Sequence, residues 1–144
     1  MVPVLEQVLE KNPNTVKIVF KNFPLQSHKF ARPAAIAALA AGEQGKFWQF
    51  HDLLFENYNK LDDQKIQEIA RTVGLNMEAY EKKKKDPAII QRVNQDFLEG
   101  RQAGVGGTPT IFINGIRLRN RSIQGFQAAI DKQLQKLGRT TAKP

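Results

Sequence analysis

Few residues of this chain are of the types that carry out covalent or metal chemistry. The sequence has 144 residues, no cysteine and two histidines, His28 and His51. Without a thiol, disulfides, thiolate nucleophiles and cysteine-ligated metals are excluded on this chain. Two histidines without matching carboxylate spacing are a poor metal site. Each histidine is therefore predicted to pack or hydrogen-bond locally, and we expect no metal, no cofactor and no catalytic residue.

The most informative segment runs from Gly106 to Gly115. It combines a glycine-rich approach, a Thr108-Pro109 pair, a short apolar run and an Asn-Gly pair. The glycines do not form a phosphate loop, because G-x-x-x-x-G-K-[ST] is absent and a strand follows. They are predicted to let the backbone turn ahead of the proline. A strand over residues 109–113, the Asn-Gly turn and a return over 116–118 predict a β-hairpin.

The elements around this segment are predicted to be mostly helical. Residues 2–10 carry an apolar stripe of Val4, Leu5, Val8 and Leu9, which is typical of an amphipathic helix. Val16–Phe20 is predicted to be a largely buried strand. The helix around residues 47–55 is apolar on nearly every side, so we place it inside a helical bundle.

Capping residues and turn residues predict where further helices begin and end. Helix starts are expected at Asp62, Asn76, Asp86 and Ser122, since short polar side chains accept hydrogen bonds from the first turn. The helix after Asn76 is expected to end near Tyr80. The folded domain is predicted to cover residues 1–138, and residues 139–144 to form a disordered tail.

The net charge of +8 raises the question of nucleic acid as a partner. The lysines at 82–85 and the arginines at 117, 119 and 121 are not interleaved with aromatic side chains that would stack on bases. A solvated basic surface is the better explanation, and no nucleic-acid partner is expected. No run of about eighteen apolar residues occurs, so no membrane-spanning helix is predicted.

Several segments, in order, resemble the bacterial DsbA-like thiol–disulfide oxidoreductases. They are residues 20–25 (FKNFPL), 34–41 with 45–48 (GKFW), 51–55 (HDLLF), 104–110 (GVGGTPT) and 112–115 (FING). The resemblance covers almost the whole chain. It implies an α/β, thioredoxin-like fold with an inserted helical subdomain at about 29–100.

The resemblance also implies which residues contact substrate. In this family a cis Thr-Pro loop lies beside the redox-active Cys-x-x-C, so Gly107, Thr108 and Pro109 are the expected substrate-peptide-binding residues. A strand and Cys-Pro-x-Cys precede the helix that residues 2–10 resemble. The chain is therefore expected to be N-terminally truncated, to lack the central strand and to be inactive in thiol–disulfide exchange. The full-length protein would be periplasmic or otherwise extracytoplasmic.

Two functions remain open from the sequence. One is a DsbA-like protein-disulfide oxidoreductase family member in a form without its redox cysteines. The other is a redox-dead module for peptide binding or dimerisation. Expected partners are extended or unfolded polypeptides and a second copy of the chain, with strands or helices exchanged, because a missing central strand leaves its neighbours unpaired. The alternative to a dimer is that the chain is a fragment of a longer natural product.

Overall fold

The computed structural model describes residues 1–138, so the tail expected at 139–144 lies outside the described residues. The elements, in chain order, are α1 (Val2–Lys11), α2 (Ala31–Gly42), α3 (Phe47–Glu56), a 3-10 turn (Tyr58–Lys60), α4 (Asp63–Thr72), α5 (Met77–Lys84), α6 (Pro87–Gln102), β1 (Phe112–Ile113), β2 (Ile116–Arg117) and α7 (Ile123–Lys136). In the part of the chain that the structure describes, no helix is both long and apolar enough to cross a membrane.

The chain divides into two compact units. The hairpin unit contains Met1–Val19 and Gly107–Pro144, and the helical unit contains Phe20–Gly106. The first therefore holds α1, the β-hairpin and α7, and the second holds α2 to α6.

The core of the hairpin unit lies between α1, α7 and one face of the hairpin. Its buried residues are Val8, Phe126, Ile130 and Leu134, with Val4, Leu5, Val16, Ile111, Ile113, Leu118 and Ile123 packed against them. The predicted helix over residues 2–10 is confirmed as α1. Its apolar stripe is narrower than predicted, because Leu9 is 39% exposed.

The predicted hairpin is confirmed, with shorter strands than expected. Phe112 pairs with Arg117 and Ile113 with Ile116 in an antiparallel, two-stranded sheet. Asn114 and Gly115 have φ of 48° and 79°, the left-handed backbone that a two-residue hairpin turn needs. Of the strand predicted over residues 109–113, only Phe112 and Ile113 are assigned to β1, and Leu118 N also donates to the Ile111 carbonyl oxygen across the hairpin at 2.9 Å.

The prediction of a strand at Val16–Phe20 is wrong. These five residues are assigned to no strand, and Val19 is 62% exposed. The β-branched composition favours an extended chain, but a strand also requires a neighbour that accepts and donates its main-chain hydrogen bonds. No described residue takes that place.

The core of the helical unit is built around the alanine-rich helix α2. Ala37, Ala40 and Ala41 have no exposed surface, and small side chains of this kind let the neighbouring helices approach closely. The other buried members are Ala34, Ala38, Phe50, Leu54, Ile66, Ile69, Ala70, Leu75 and Tyr80.

The prediction that the helix around residues 47–55, apolar on nearly every side, lies in the middle of a helical bundle is wrong. In α3, Phe50 and Leu54 are buried, whereas Trp48 is 48% and Phe55 is 52% exposed. Helix α3 contacts α2 and α4, and its buried His51 packs against Phe20. The positions of Trp48 and Phe55 are the ones that stay open to solvent.

All four predicted helix starts are confirmed with their caps. The Asp62 carboxylate accepts from Lys65 N at 2.7 Å, Asn76 Oδ1 from Ala79 N at 2.9 Å, Asp86 Oδ1 from Ala88 N at 2.9 Å and Ser122 Oγ from Gly125 N at 3.1 Å. The prediction that the helix after Asn76 ends near Tyr80 is wrong, because α5 continues through the lysine run to Lys84.

Tyr80→Phe is expected to leave the free energy of unfolding unchanged or to raise it by up to about 1 kcal/mol. The Tyr80 ring is fully buried, and its hydroxyl has no hydrogen-bond partner among residues 1–138. A buried hydroxyl without a partner costs free energy. Urea denaturation measures the effect, and Tyr58→Phe at a 74% exposed position is the control expected to change nothing. A loss above about 1 kcal/mol would mean that the Tyr80 hydroxyl does have a partner in solution.

Candidate functional site

The loop Gly107–Pro109 leads directly into the hairpin. The Thr108–Pro109 peptide bond is cis. The side chains of Thr108 and Pro109 are exposed, and Gly107 is partly buried. The three residues that the sequence indicates for peptide binding therefore form one accessible strip of the hairpin unit.

Two side-chain contacts hold the carbonyl groups on either side of Thr108. Thr110 Oγ1 donates to the Gly107 carbonyl oxygen at 2.7 Å. Arg121 Nη1 donates to the Pro109 carbonyl oxygen at 2.8 Å. The hydrogen bond from Thr110 is local, whereas the one from Arg121 comes from the segment that follows β2. The loop is therefore held both by its own next residues and from across the hairpin.

The main chain of Thr108 itself is unpaired. Within residues 1–138, neither its N–H nor its C=O takes part in a hydrogen bond. An exposed main-chain N–H and C=O without partners are the kind of groups that an added peptide strand pairs with.

Arg121 is held by the turn that leads into α7. Asn120 Oδ1 accepts from Ser122 N at 3.1 Å, and the Ser122 cap follows at once. Gly125 packs so closely on Asn120 that a Cβ there would meet the Asn120 side chain at 2.6–2.8 Å and also its carbonyl oxygen. The sequence did not reveal the role of Arg121. The alternating positions of Arg117, Arg119 and Arg121 do not show which carbonyl group any of them reaches.

Asp96 is a charged residue of the helical unit that sequence reasoning also missed. Its side chain is 2% exposed. One carboxylate oxygen accepts from Asn22 N at 3.0 Å and Asn22 Nδ2 at 2.9 Å, and the other accepts from Lys21 Nζ at 3.3 Å and Arg92 Nε at 3.2 Å. Burial raises the pKa of Asp96, but the hydrogen bonds from Asn22 and the charge of Lys21 lower it more, so the pKa lies below its usual value. A carboxylate with both oxygens occupied is a structural anchor and a poor proton acceptor.

The side chain of His51 makes contacts with neighbouring residues only. His51 is buried, its Nδ1 lies 2.9 Å from Asp52 Oδ1, and its ring is 4.6–4.8 Å from the rings of Phe55 and Phe20. The prediction of a packing and hydrogen-bonding role is confirmed for His51. His28 is exposed. Across residues 1–138 no cluster of three or more histidine or carboxylate side chains is arranged to bind a metal ion.

Several known proteins are similar to this chain in sequence or in fold. The chain is 34% identical over 118 residues to the Na(+)/H(+) antiporter NhaA 3 of Salinispora tropica, an alignment covering 81% of this chain and 18% of the antiporter. It is 27% identical over 139 residues to a Rickettsia bellii protein named "Putative protein-disulfide oxidoreductase", covering 92% of this chain and 53% of that protein. The chain thus spans about a fifth of the first relative's length and about half of the second's.

A solved structure has the same fold at lower identity. The thioredoxin-like oxidoreductase from Silicibacter pomeroyi DSS-3 matches with a TM-score of 0.80 and 24% identity, covering 93% of this chain and 77% of that chain. This confirms the predicted thioredoxin-like fold of the DsbA type, here mostly helical with a small two-stranded sheet. The family described as DSBA-like thioredoxin domain matches residues 1–131. The chain therefore belongs to the DSBA-like thioredoxin domain family, as its motifs predicted.

Proposed function

We propose that this chain binds extended or unfolded polypeptides at Gly107, Thr108 and Pro109, as the substrate-contacting part of a DsbA-like thiol–disulfide oxidoreductase. The observation that carries the proposal is the unpaired main chain of Thr108 in an exposed loop. Membership of the DSBA-like family supports it. The periplasm or another extracytoplasmic compartment is the proposed location of the full-length protein.

The 144 residues are further proposed to catalyse no disulfide exchange by themselves. A thiolate is the nucleophile in that reaction, and the sequence has no cysteine. Serine and threonine hydroxyls do not attack disulfides. In an assay with a reduced peptide that carries two cysteines and a glutathione redox buffer, the chain should leave the oxidation rate at its uncatalysed value.

Peptide binding is expected to depend on the main-chain N–H of Thr108. Thr108→Pro removes that donor and should weaken binding of a labelled unfolded peptide about 5- to 10-fold, the effect of one hydrogen bond. Thr108→Ala keeps the N–H and should bind as the parent chain does. Fluorescence anisotropy measures both affinities, and circular dichroism checks that each variant is folded.

Pro109→Ala tests the neighbouring exposed ring as a second contact surface. It removes apolar surface that an added strand would cover, so weaker binding is expected. If no peptide binds, or if neither Thr108→Pro nor Pro109→Ala changes the affinity, the peptide-binding proposal is wrong.

A redox-dead dimerisation module is the second candidate, because the hairpin has unpaired edges. Among the described residues β1 and β2 pair only with each other, and Phe112 and Ile116 are 38% and 52% exposed. Open edges with apolar side chains favour pairing with another chain. We propose a homodimer that pairs or exchanges strands or helices. Light scattering over a dilution series tests it, and a monomer at every concentration would contradict it.

A further inference from the structure

Helix α3 carries two aromatic residues and a carboxylate on one exposed side. Trp48, Asp52 and Phe55 stand at positions i, i+4 and i+7 of the helix, a spacing that places them on the same face. Trp48 is 48% and Phe55 is 52% exposed, and 45% of the Asp52 side chain is exposed. The three residues, which we call the α3 stripe, span about 10 Å along the helix axis, with Asp52 between the two aromatic residues.

The side chains of the α3 stripe are held from their inner sides. The Trp48 ring packs edge-to-face on Phe47 at 5.1 Å and on His51 at 5.3 Å between ring centroids. The Phe55 ring lies 4.6 Å from the His51 ring. The buried imidazole of His51 also has its Nδ1 2.9 Å from Asp52 Oδ1. One histidine therefore contacts all three members of the stripe, so a ligand on their outer surface would order few free side chains.

The negative charge of this surface has no lysine or arginine partner. Within residues 1–138, neither Asp52 nor the exposed Glu56 lies within ion-pair distance of a lysine or arginine. Helix α3 itself contains no lysine or arginine, although the whole chain has a net charge of +8. The α3 stripe is therefore a locally acidic surface on a basic protein.

Exposed aromatic rings beside an unpaired carboxylate have the chemistry to bind a cation. An ammonium or guanidinium group is attracted to the face of an aromatic ring, and most strongly to tryptophan. A carboxylate adds a charge-assisted hydrogen bond, for which the planar guanidinium is well suited. The remaining ring surface can cover an apolar group. Charge complementarity thus favours a ligand that is both cationic and apolar over an anionic one.

We infer that the α3 stripe binds a polypeptide segment in which an arginine or lysine has an apolar neighbour. The cationic group contacts Asp52 and the Trp48 ring, and the apolar neighbour covers the Phe55 ring. This site goes beyond the proposed function, because it belongs to the helical unit and uses none of the residues of the Gly107–Pro109 loop.

Three ten-residue peptides without tryptophan test the inference. They are identical except for arginine, citrulline or glutamate at two positions beside leucine, and citrulline has nearly the shape of arginine without its charge. In fluorescence anisotropy at low salt, the labelled arginine peptide should bind at least about 5-fold more tightly than the citrulline peptide, and the glutamate peptide most weakly. Trp48 is the only tryptophan of the sequence, so its emission should change when the unlabelled arginine peptide is added.

Two variants, each with a matched control, assign the binding to the α3 stripe. Asp52→Asn keeps an acceptor for His51 and should lower the affinity for the arginine peptide about 2- to 5-fold, with the citrulline peptide unaffected. Phe55→Ala should lower it about 2- to 5-fold by removing ring surface. Glu78→Gln removes an exposed carboxylate from α5, and Leu98→Ala removes a 57% exposed apolar side chain from α6. Both controls should leave the affinity unchanged, and circular dichroism checks that every variant is folded.

The outcomes separate this inference from the proposed function. Equal affinity for the arginine and citrulline peptides would overturn the inference. Binding that is weakened by Thr108→Pro but not by Asp52→Asn or Phe55→Ala would also overturn it and leave the Gly107–Pro109 proposal standing. No binding of any peptide would overturn both. If light scattering then showed that Phe55→Ala converts a dimer into a monomer, the α3 stripe would be a contact between two copies of the chain.

Discussion

Asp96→Ala is expected to lower the free energy of unfolding of the helical unit by about 2–6 kcal/mol, because it leaves two buried hydrogen-bond donors without an acceptor. Most of the loss comes from Asn22, which is 3% exposed. Without the carboxylate, its main-chain N–H and its amide group are buried without an acceptor, and each such group costs about 1–3 kcal/mol. Lys21 and Arg92 contribute less, because their side chains are 51% and 55% exposed and water replaces the carboxylate.

Urea denaturation followed by tryptophan fluorescence measures this effect. Trp48 is the only tryptophan of the sequence and lies on α3, so its emission reports on the helical unit. Asp96→Asn is the matched variant, because it keeps the shape of the side chain but has one acceptor oxygen. Asp96→Asn should lower the free energy of unfolding by an amount between zero and the loss caused by Asp96→Ala. If Asp96→Ala costs less than about 1 kcal/mol, the network does not hold Lys21 and Asn22 to α6.

The same carboxylate predicts a pH dependence. In the folded chain the pKa of Asp96 lies below its usual value of 3.8. Its stabilising contribution is therefore complete above that value and is lost as the pH falls through the lower, folded pKa. The stability difference between the parent chain and Asp96→Asn should be full at neutral pH and should shrink in strong acid. A difference that does not change with pH would show that the charge of Asp96 contributes nothing.

Gly125→Ala is expected to destabilise the hairpin unit by at least about 2 kcal/mol. In an ordinary helix position this change stabilises by about 1 kcal/mol, because alanine is the better helix former. At Gly125 the new Cβ would meet the carbonyl oxygen of Asn120, and its side chain at 2.6–2.8 Å. Backbone atoms cannot turn away as a flexible side chain can, so the clash outweighs the gain and the segment carrying Arg121 must shift.

Hydrogen exchange of the α7 amides measures this loss locally, since the hairpin unit has no tryptophan. Gly42→Ala is the control, because the nearest atom to a Cβ there is Phe47 Cβ at an ordinary 3.4 Å. It should be neutral or stabilise α2 by up to about 1 kcal/mol. Unchanged or slower exchange of α7 in Gly125→Ala would contradict the close packing on Asn120. Weaker peptide binding in the same variant is expected, because the Arg121 contact with the loop depends on that turn.

Local chemistry explains what the sequence alone determined about the elements. Asp62, Asn76, Asp86 and Ser122 each cap the helix that follows, because a cap is a contact between a side chain and the next few main-chain N–H groups. The Asn114-Gly115 turn was equally predictable, since few residues adopt a left-handed backbone without strain. The motifs that resemble the DsbA-like family were also readable from the sequence, because each of them is a short, continuous segment.

Only the tertiary structure decided which of these segments acquire partners. Val16–Phe20 has the composition of a strand and lacks a ladder, because pairing depends on another segment and not on propensity. Trp48 and Phe55 are apolar and exposed, because burial depends on which helix packs against each side of α3. The roles of Asp96 and Arg121 depend on atoms 74 and 12 residues away along the chain. Such contacts leave no local signature. Sequence patterns therefore indicated the candidate loop Gly107–Pro109, and only the fold showed which contacts hold it.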